Sequence, residues 1–381
     1  MSAPRRGTPD FLLLFLTFSL VCFGLAFVFS ASMAYEPNDP WYMAIRQAIY
    51  TGLGTIAMFF CMNVDFRKFQ KWVVPALFVV VVLLLLVPII GTGVNGAKSW
   101  IRIGGFFSVQ PTEFAKLAVI IYLASIISKK GDRFQDFKRG LVPPLVVIGF
   151  ICALIMLQPD LGSTMVLVLC AMLIIIVGGA QLKHVFYLSA GGGVFLTLVG
   201  MIYYIATDGN SHHFARFSAY FNPWADPKGS GFHLVQSLYA FGHGGLTGAG
   251  FGQSIQKLHY LPEAHNDFIF AIIGEELGFI GTSLFLLAYL AFLWRGLIVA
   301  LRCQDTFGML LGVGIVGMIG LQAFINMGGV TNTIPLTGVT LPLISYGGTS
   351  MLTTLASLGI LLSISREYNK PEKERETKKR A

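Results

Sequence analysis

The chain has 381 residues, of which 55% are hydrophobic and only 12% charged, with a mean hydropathy of +0.70. Soluble domains carry about 25% charged residues, so this chain has too little polar surface to face water, and most of it has lipid as its solvent. The net charge of +8 does not read as a nucleic-acid surface, because the basic residues lie in short connections between apolar runs and in the stretch from Arg366 to Ala381.

The expected fold is an all-α integral membrane protein of about ten transmembrane helices. Apolar runs long enough to cross about 30 Å of hydrocarbon cover 11–33, 44–63, 72–90, 112–128, 140–157, 161–178, 185–205, 268–294, 307–330 and 344–364. Helices are required because each backbone polar group needs an internal partner in lipid. With both termini inside, Arg5, Arg6, Arg67, Lys68, Lys71, Lys129, Lys130, Arg133, Lys138, Arg139, Lys183, Arg295, Arg302 and the tail basic residues face the cytoplasm. Arg46, Lys98, Arg102, Arg216, Lys228 and Lys257 remain outside, and this asymmetry sets the orientation. Three parts follow: a cytoplasmic segment 1–10, a membrane domain 11–365 with a large outer loop 206–267, and a basic tail 366–381 able to meet anionic lipid. Cys22, Cys61, Cys152 and Cys170 lie in apolar runs and Cys303 in a basic connection, so no structural disulfide is expected.

Ionisable groups at membrane depth are costly and are functional candidates by default. In chain order, Lys98, Trp100 and Arg102 alternate with apolar residues as in a short extended or interfacial segment, and the two cations defy the inside bias, which suggests an anion bound outside. Trp100 could equally be a membrane-belt aromatic. Gln110-Pro111-Thr112-Glu113 opens the fourth span, with Lys116 one turn inward, and Glu113 reads also as a simple i,i+3 partner of that lysine. Gln158-Pro159-Asp160-Leu161-Gly162 is a tight turn in which Asp160 suits an N-cap. Lys257, His259, Glu263, His265 and Asp267 gather just before the eighth span, where Asp267 could also serve as a helix cap. Glu275 and Glu276 lie deeper and must face protein or a polar cavity. The glycine-rich run from Gly244 to Gly252 lacks a Walker lysine and a preceding strand, so its glycines permit close packing or a re-entrant turn. His212, His213, His259 and His265 lack zinc-site spacing, and no Gly-x-Ser-x-Gly elbow supplies a serine nucleophile.

With these residues in view, the chain resembles the SEDS family (shape, elongation, division and sporulation), the FtsW/RodA/SpoVE-type proteins. The resemblance rests on Gly96-Ala97-Lys98-Ser99-Trp100-Ile101, Gln110-Pro111-Thr112-Glu113-Phe114-Ala115-Lys116, Gln158-Pro159-Asp160-Leu161-Gly162, the run from Leu261 to Phe270, and the run from Thr340 to Gly348, in order. Thr112 stands where serine is usual and Asn266 where threonine is usual. The phrases around Glu275-Glu276 and Ser345-Tyr346 look more like the division and sporulation branch than the elongation branch.

The resemblance implies a peptidoglycan glycosyltransferase that polymerises lipid II at the outer face of the bacterial cytoplasmic membrane. Its implied partners are a class B penicillin-binding protein and other division or sporulation membrane proteins. It places the essential aspartate on Asp267, the expected general base of an inverting displacement. Substrate contacts are expected from Lys98, Trp100, Arg102, Gln110, Glu113, Lys116, Asp160, Arg216, Lys257, Glu263, His265 and Ser345. The leaving diphosphate needs positive charge rather than an acid; Lys98, Arg102, Lys116, Arg216 and Lys257 are the candidates. A divalent cation, magnesium or manganese, could share that task, although no ligand motif identifies one. The competing readings are a lipid II flippase, which needs a polar path to the inner face, and a non-catalytic scaffold.

Overall fold

The computed structural model describes residues 7–35, 39–94, 97–103, 107–193 and 218–368. Its labelled helices are α1 (Phe11–Ser32), α2 (Tyr42–Asn63), α3 (Phe66–Lys71), α4 (Val73–Ile90), α5 (Pro111–Lys130), α6 (Val142–Met156) and α7 (Leu161–Val177). They continue with α8 (Phe232–Gly244), α9 (Ile269–Leu301), α10 (Thr306–Val330) and α11 (Gly348–Tyr368). Among the described residues, seven helices are long and apolar enough to span a membrane. Of the other three expected spans, 44–63 forms the 22-residue α2 and 161–178 forms α7, which is apolar but only 17 residues long. The third, 185–205, lies partly outside the described residues, although 182–193 is helical.

Two features correct the expected fold. The chain is not wholly α-helical: β1 (Thr92–Val94), β2 (Ala97–Ile103) and β3 (Phe107–Val109) form an antiparallel three-stranded sheet in the order β1-β2-β3. β1 and β3, of three residues each, leave little periodicity to read. The loop expected over 206–267 also contains α8, whose buried Leu234, Val235, Ser237 and Ala240 face inward.

α5, α10 and α11 are the most enclosed helices, whereas α4 turns Val74, Phe78, Val79, Leu85 and Ile89 outward, as a lipid-facing helix does. Pro88 lies inside α4. A proline there has no N–H to give the carbonyl four residues back, and Gln158 Nε2 donates to that Leu84 carbonyl at 3.2 Å instead. The Gln158 carbonyl in turn accepts from Ser99 Oγ on β2 at 3.3 Å. The Gln-Pro-Asp-Leu-Gly turn thereby ties the sheet to the membrane helices.

α9 is broken at Gly278, where φ is 66° and ψ −170°, a combination open essentially to glycine alone. The glycine-rich run after α8 supplies the missing hydrogen bonds. Ala249 N and Gly250 N donate to the Glu275 and Glu276 carbonyls, both at 3.0 Å. Phe279 N and Ile280 N donate to the Gly245 and Leu246 carbonyls at 2.9 and 3.1 Å. The run is therefore a clasp around a broken helix, the close-packing role its glycines suggest.

Candidate functional site

The segment between α10 and α11, residues 331–347, is where the sequence motifs meet. From the first motif side, Gln110 N donates to Thr349 Oγ1 at 3.1 Å, and Thr349 Oγ1 donates to the Ser108 carbonyl at 3.0 Å. Gln110 Nε2 reaches Asp160 Oδ2 at 3.4 Å. Asp160 also caps α7, accepting from Ser163 N at 2.9 Å. Gly162 packs so closely on the segment that a Cβ there would lie 2.7 Å from the Thr337 carbonyl oxygen. From the other side, Tyr346 N donates to the His265 carbonyl at 2.9 Å. Ser345 is buried; its Oγ accepts from Leu341 N at 2.8 Å, and its carbonyl accepts from Gln47 Nε2 at 3.1 Å.

Asp267 is half-buried in this convergence, one residue before the N-cap of α9. That cap is Phe268 and makes no side-chain capping hydrogen bond. The Asp267 carbonyl accepts from Asn326 Nδ2 at 2.7 Å. Its carboxylate lies against Gly338, at which a Cβ would sit 3.4 Å from Oδ2; Gly338 has φ 75°, so a side chain is disfavoured there on conformation as well. Beneath, Lys116 Nζ pairs with Glu113 Oε1 at 2.7 Å, both side chains nearly inaccessible. The same ammonium donates to Gln322 Oε1 at 3.1 Å.

The electrostatics follow from the helix directions. α5, α7, α9 and α11 all begin at this convergence, each bringing roughly half a positive charge at its N-terminus. Asp160 and Glu113 offset this on α7 and α5, while α9 and α5 start without a side-chain cap. Nearby on β2, Lys98 and Arg102 are exposed while Ser99 between them is buried; alternation along a strand puts both cations on one face and Ser99 on the other. Trp100, between them on the same face, is half-buried.

The family model described as cell cycle protein, FtsW/RodA/SpoVE, matches residues 11–370. The chain belongs to the FtsW/RodA/SpoVE family. Stage V sporulation protein E of Bacillus subtilis (strain 168) is 45% identical over 368 residues, covering 95% of this chain and 98% of that one. A relative in Geobacter metallireducens, named a probable peptidoglycan glycosyltransferase FtsW, is 42% identical over 361 residues, covering 93% and 94%. Among solved structures, a chain described under structural coordination of polymerization and crosslinking by a peptidoglycan synthase complex is similar with a TM-score of 0.76 and 28% identity, covering 95% of this chain and 99% of that one. The rod shape determining protein RodA of Thermus thermophilus has a TM-score of 0.68 and 28% identity, covering 95% and 98%.

Not every expected site residue of this FtsW/RodA/SpoVE-family chain joins the group. Lys257 is buried and bonded to Glu276 Oε1 at 3.0 Å and to Ser30 Oγ at 3.1 Å, so its charge is neutralised within the bundle. Glu275 accepts from Ile255 N at 2.9 Å and from Ser254 Oγ, and faces His243 Nδ1 at 2.9 Å. Glu263 accepts from Asn266 Nδ2 in a turn where its own φ is 56°. His265 is buried between the Tyr35 and Tyr346 rings, at 4.9 and 5.5 Å; burial lowers its pKa from 6.5, opposed by the Glu263 charge. Arg216 lies outside the described residues. Among those described, no three His, Cys, Asp or Glu side chains gather as a metal-binding group.

Sequence reading missed Gln322, Asn326 and Gln47. The first two carry a legible signal, polar side chains four residues apart within an apolar span, obscured by the glycine-rich, otherwise apolar surroundings of α10.

Proposed function

We infer that this protein is a peptidoglycan glycosyltransferase, polymerising lipid II at the outer face of the bacterial cytoplasmic membrane. The observation that carries the site assignment is the half-buried Asp267 carboxylate set against Gly338 at the head of a membrane helix, with exposed cations on the adjoining sheet. The activity named for the Geobacter metallireducens relative, matched over 93% of this chain and 94% of its own, supports the reaction class.

Asp267 acts as the general base. It takes the proton of the acceptor sugar's hydroxyl as that oxygen attacks the donor's anomeric carbon. The bond from that carbon to the lipid diphosphate breaks with inversion, and the diphosphate leaves without prior protonation. Its charge is met by Lys98 and Arg102 on the open face of β2 and by the helix N-termini. Gln110, Asp160 and Ser345 shape the site by holding the segments that line it, and Trp100 gives the sheet an aromatic surface beside the cations. Both termini face the cytoplasm, and a class B penicillin-binding protein is the partner, in keeping with the synthase complex described for the structural relative.

A flippase would need the deeper polar residues to form a path. Instead Lys116 is paired with Glu113, and Glu276 with Lys257, each pair closed within the bundle. Purified with its partner and given labelled lipid II, the wild-type protein yields glycan chains on a gel, while Asp267→Ala yields none. Wild-type polymer from Asp267→Ala would remove the base assignment.

A further inference from the structure

Gln322 and Asn326 lie four residues apart on α10, one above the other on the same face. Both are nearly inaccessible, 2% and 3% exposed. Asn326 Nδ2 donates to two carbonyls, of Asp267 and of Val339, each at 2.7 Å. Two acceptors fix the amide's orientation, because its oxygen has no proton to offer them. Gln322 is fixed by the same logic: Oε1 accepts from Lys116 Nζ at 3.1 Å, while Nε2 donates to the Thr340 carbonyl at 3.4 Å. The consecutive carbonyls of Val339 and Thr340 are thus each held by one amide. Gly338, the residue before them, is the one that faces the Asp267 carboxylate.

We propose that Gln322 and Asn326 are positioning residues that set the Asp267 carboxylate relative to the Lys116 ammonium, by fastening the strap 338–340 and the Asp267 backbone to one rigid helix. The proposal rests on Asp267 being the base. Neither amide touches substrate; each acts through the groups it holds. A general base must lie within hydrogen-bond reach of the proton it takes, and a displacement of about 1 Å costs on the order of 100-fold in rate. The amide pair joins the base at Asp267 to the buried Lys116–Glu113 pair, and its members share the strap.

The test compares Asn326→Leu, Gln322→Leu, the double variant and Asp267→Ala, each purified with the partner, by kcat, KM for lipid II and thermal midpoint. A destabilised control, Phe292→Ala, sits in the buried inner half of α9. Asn326→Leu is expected to lower kcat about 100-fold with KM changed less than about threefold. Gln322→Leu is expected to lower kcat less, and the double variant to be no worse than Asn326→Leu, since coupled residues are not additive. Phe292→Ala should lose thermal stability yet keep kcat at the assay temperature. The proposal is overturned if Asn326→Leu keeps wild-type kcat, or if kcat follows the thermal midpoint across all variants, the control included. An inactive Asp267→Ala beside fully active amide variants would end the positioning role and leave the base intact; an active Asp267→Ala would end both.

Discussion

Lys257 shows how burial decides what a charged residue can do. Read as a cation in an outer loop, it is a candidate for binding diphosphate; bonded to Glu276 at 3.0 Å and nearly inaccessible, it is a joint between the loop before Asp267 and the outer piece of α9, before the break at Gly278. Removing one partner of such a pair typically costs about 3–5 kcal/mol, because the other charge is left buried alone. His265 offers a pH test at the same scale. Its folded pKa lies below 6.5, whereas the unfolded chain restores the ordinary value. Between those two pKa values the unfolded state binds a proton that the native state does not, so stability falls as pH drops below 6.5 and is flat, for this group, above it. The thermal midpoint in detergent should therefore fall on going from about pH 7.5 to about pH 5, and fall less in His265→Gln. Parallel curves for the two proteins would assign the dependence to another group.

At the scale of elements, the clasp at Gly278 makes a sharper prediction. The outer piece of α9 carries Asp267 at its head, and the inner piece runs on to Leu301; the two meet at a backbone geometry that a side chain cannot adopt without strain of about 1–3 kcal/mol. A Cβ at Gly278 would also lie 2.2 Å from Gly248 N. Gly278→Ala should lower the thermal midpoint and polymerase activity together, whereas Gly149→Ala, in open space within α6, should leave the midpoint unchanged or raise it. Equal midpoints for the two would mean the clasp does not hold. This break illustrates what a sequence conceals. Long apolar runs such as 11–33 and 307–330 announce helices because lipid permits few alternatives. The glycines from Gly244 to Gly252 announce only close packing, since nothing local says which backbone they approach. The alternation of Lys98, Trp100 and Arg102 was legible as extended chain, but its pairing with β1 and β3 depends on partners three residues long. Asp160 as a cap and Glu113 with Lys116 as a pair were legible because both are local; the bonds from Asn326 to Asp267 and Val339 join segments far apart in sequence and leave no periodic trace.

At the scale of the molecule, charge and helix direction agree on an orientation. α5, α9 and α11 start at the Asp267 end and finish at the other, where the basic residues collect: Lys129 and Lys130 in the last turn of α5 and Arg366 in that of α11. That far end is tied across the bundle. Arg67 Nε bonds Asp305 Oδ2 at 2.9 Å and Arg67 Nη1 bonds Glu367 Oε2 at 3.4 Å, while Arg295 Nη2 meets Asp10 Oδ2 at 2.7 Å. Asp10 N donates to Ser365 Oγ at 3.0 Å, so α1, α9 and α11 share one basic rim. Basic residues favour the cytoplasmic side, so the proposed orientation has the Asp267 end outside, where the polyprenyl diphosphate head group of the proposed substrate would meet it. The prediction needs a background with the five cysteines replaced by alanine and single cysteines at two exposed positions, Ser230→Cys and Lys138→Cys. A membrane-impermeant maleimide should label Ser230→Cys in intact cells and Lys138→Cys only after the membrane is opened. Labelling in the reverse order would place Asp267 on the cytoplasmic side, away from an extracellular glycan, and the proposed reaction could not proceed there.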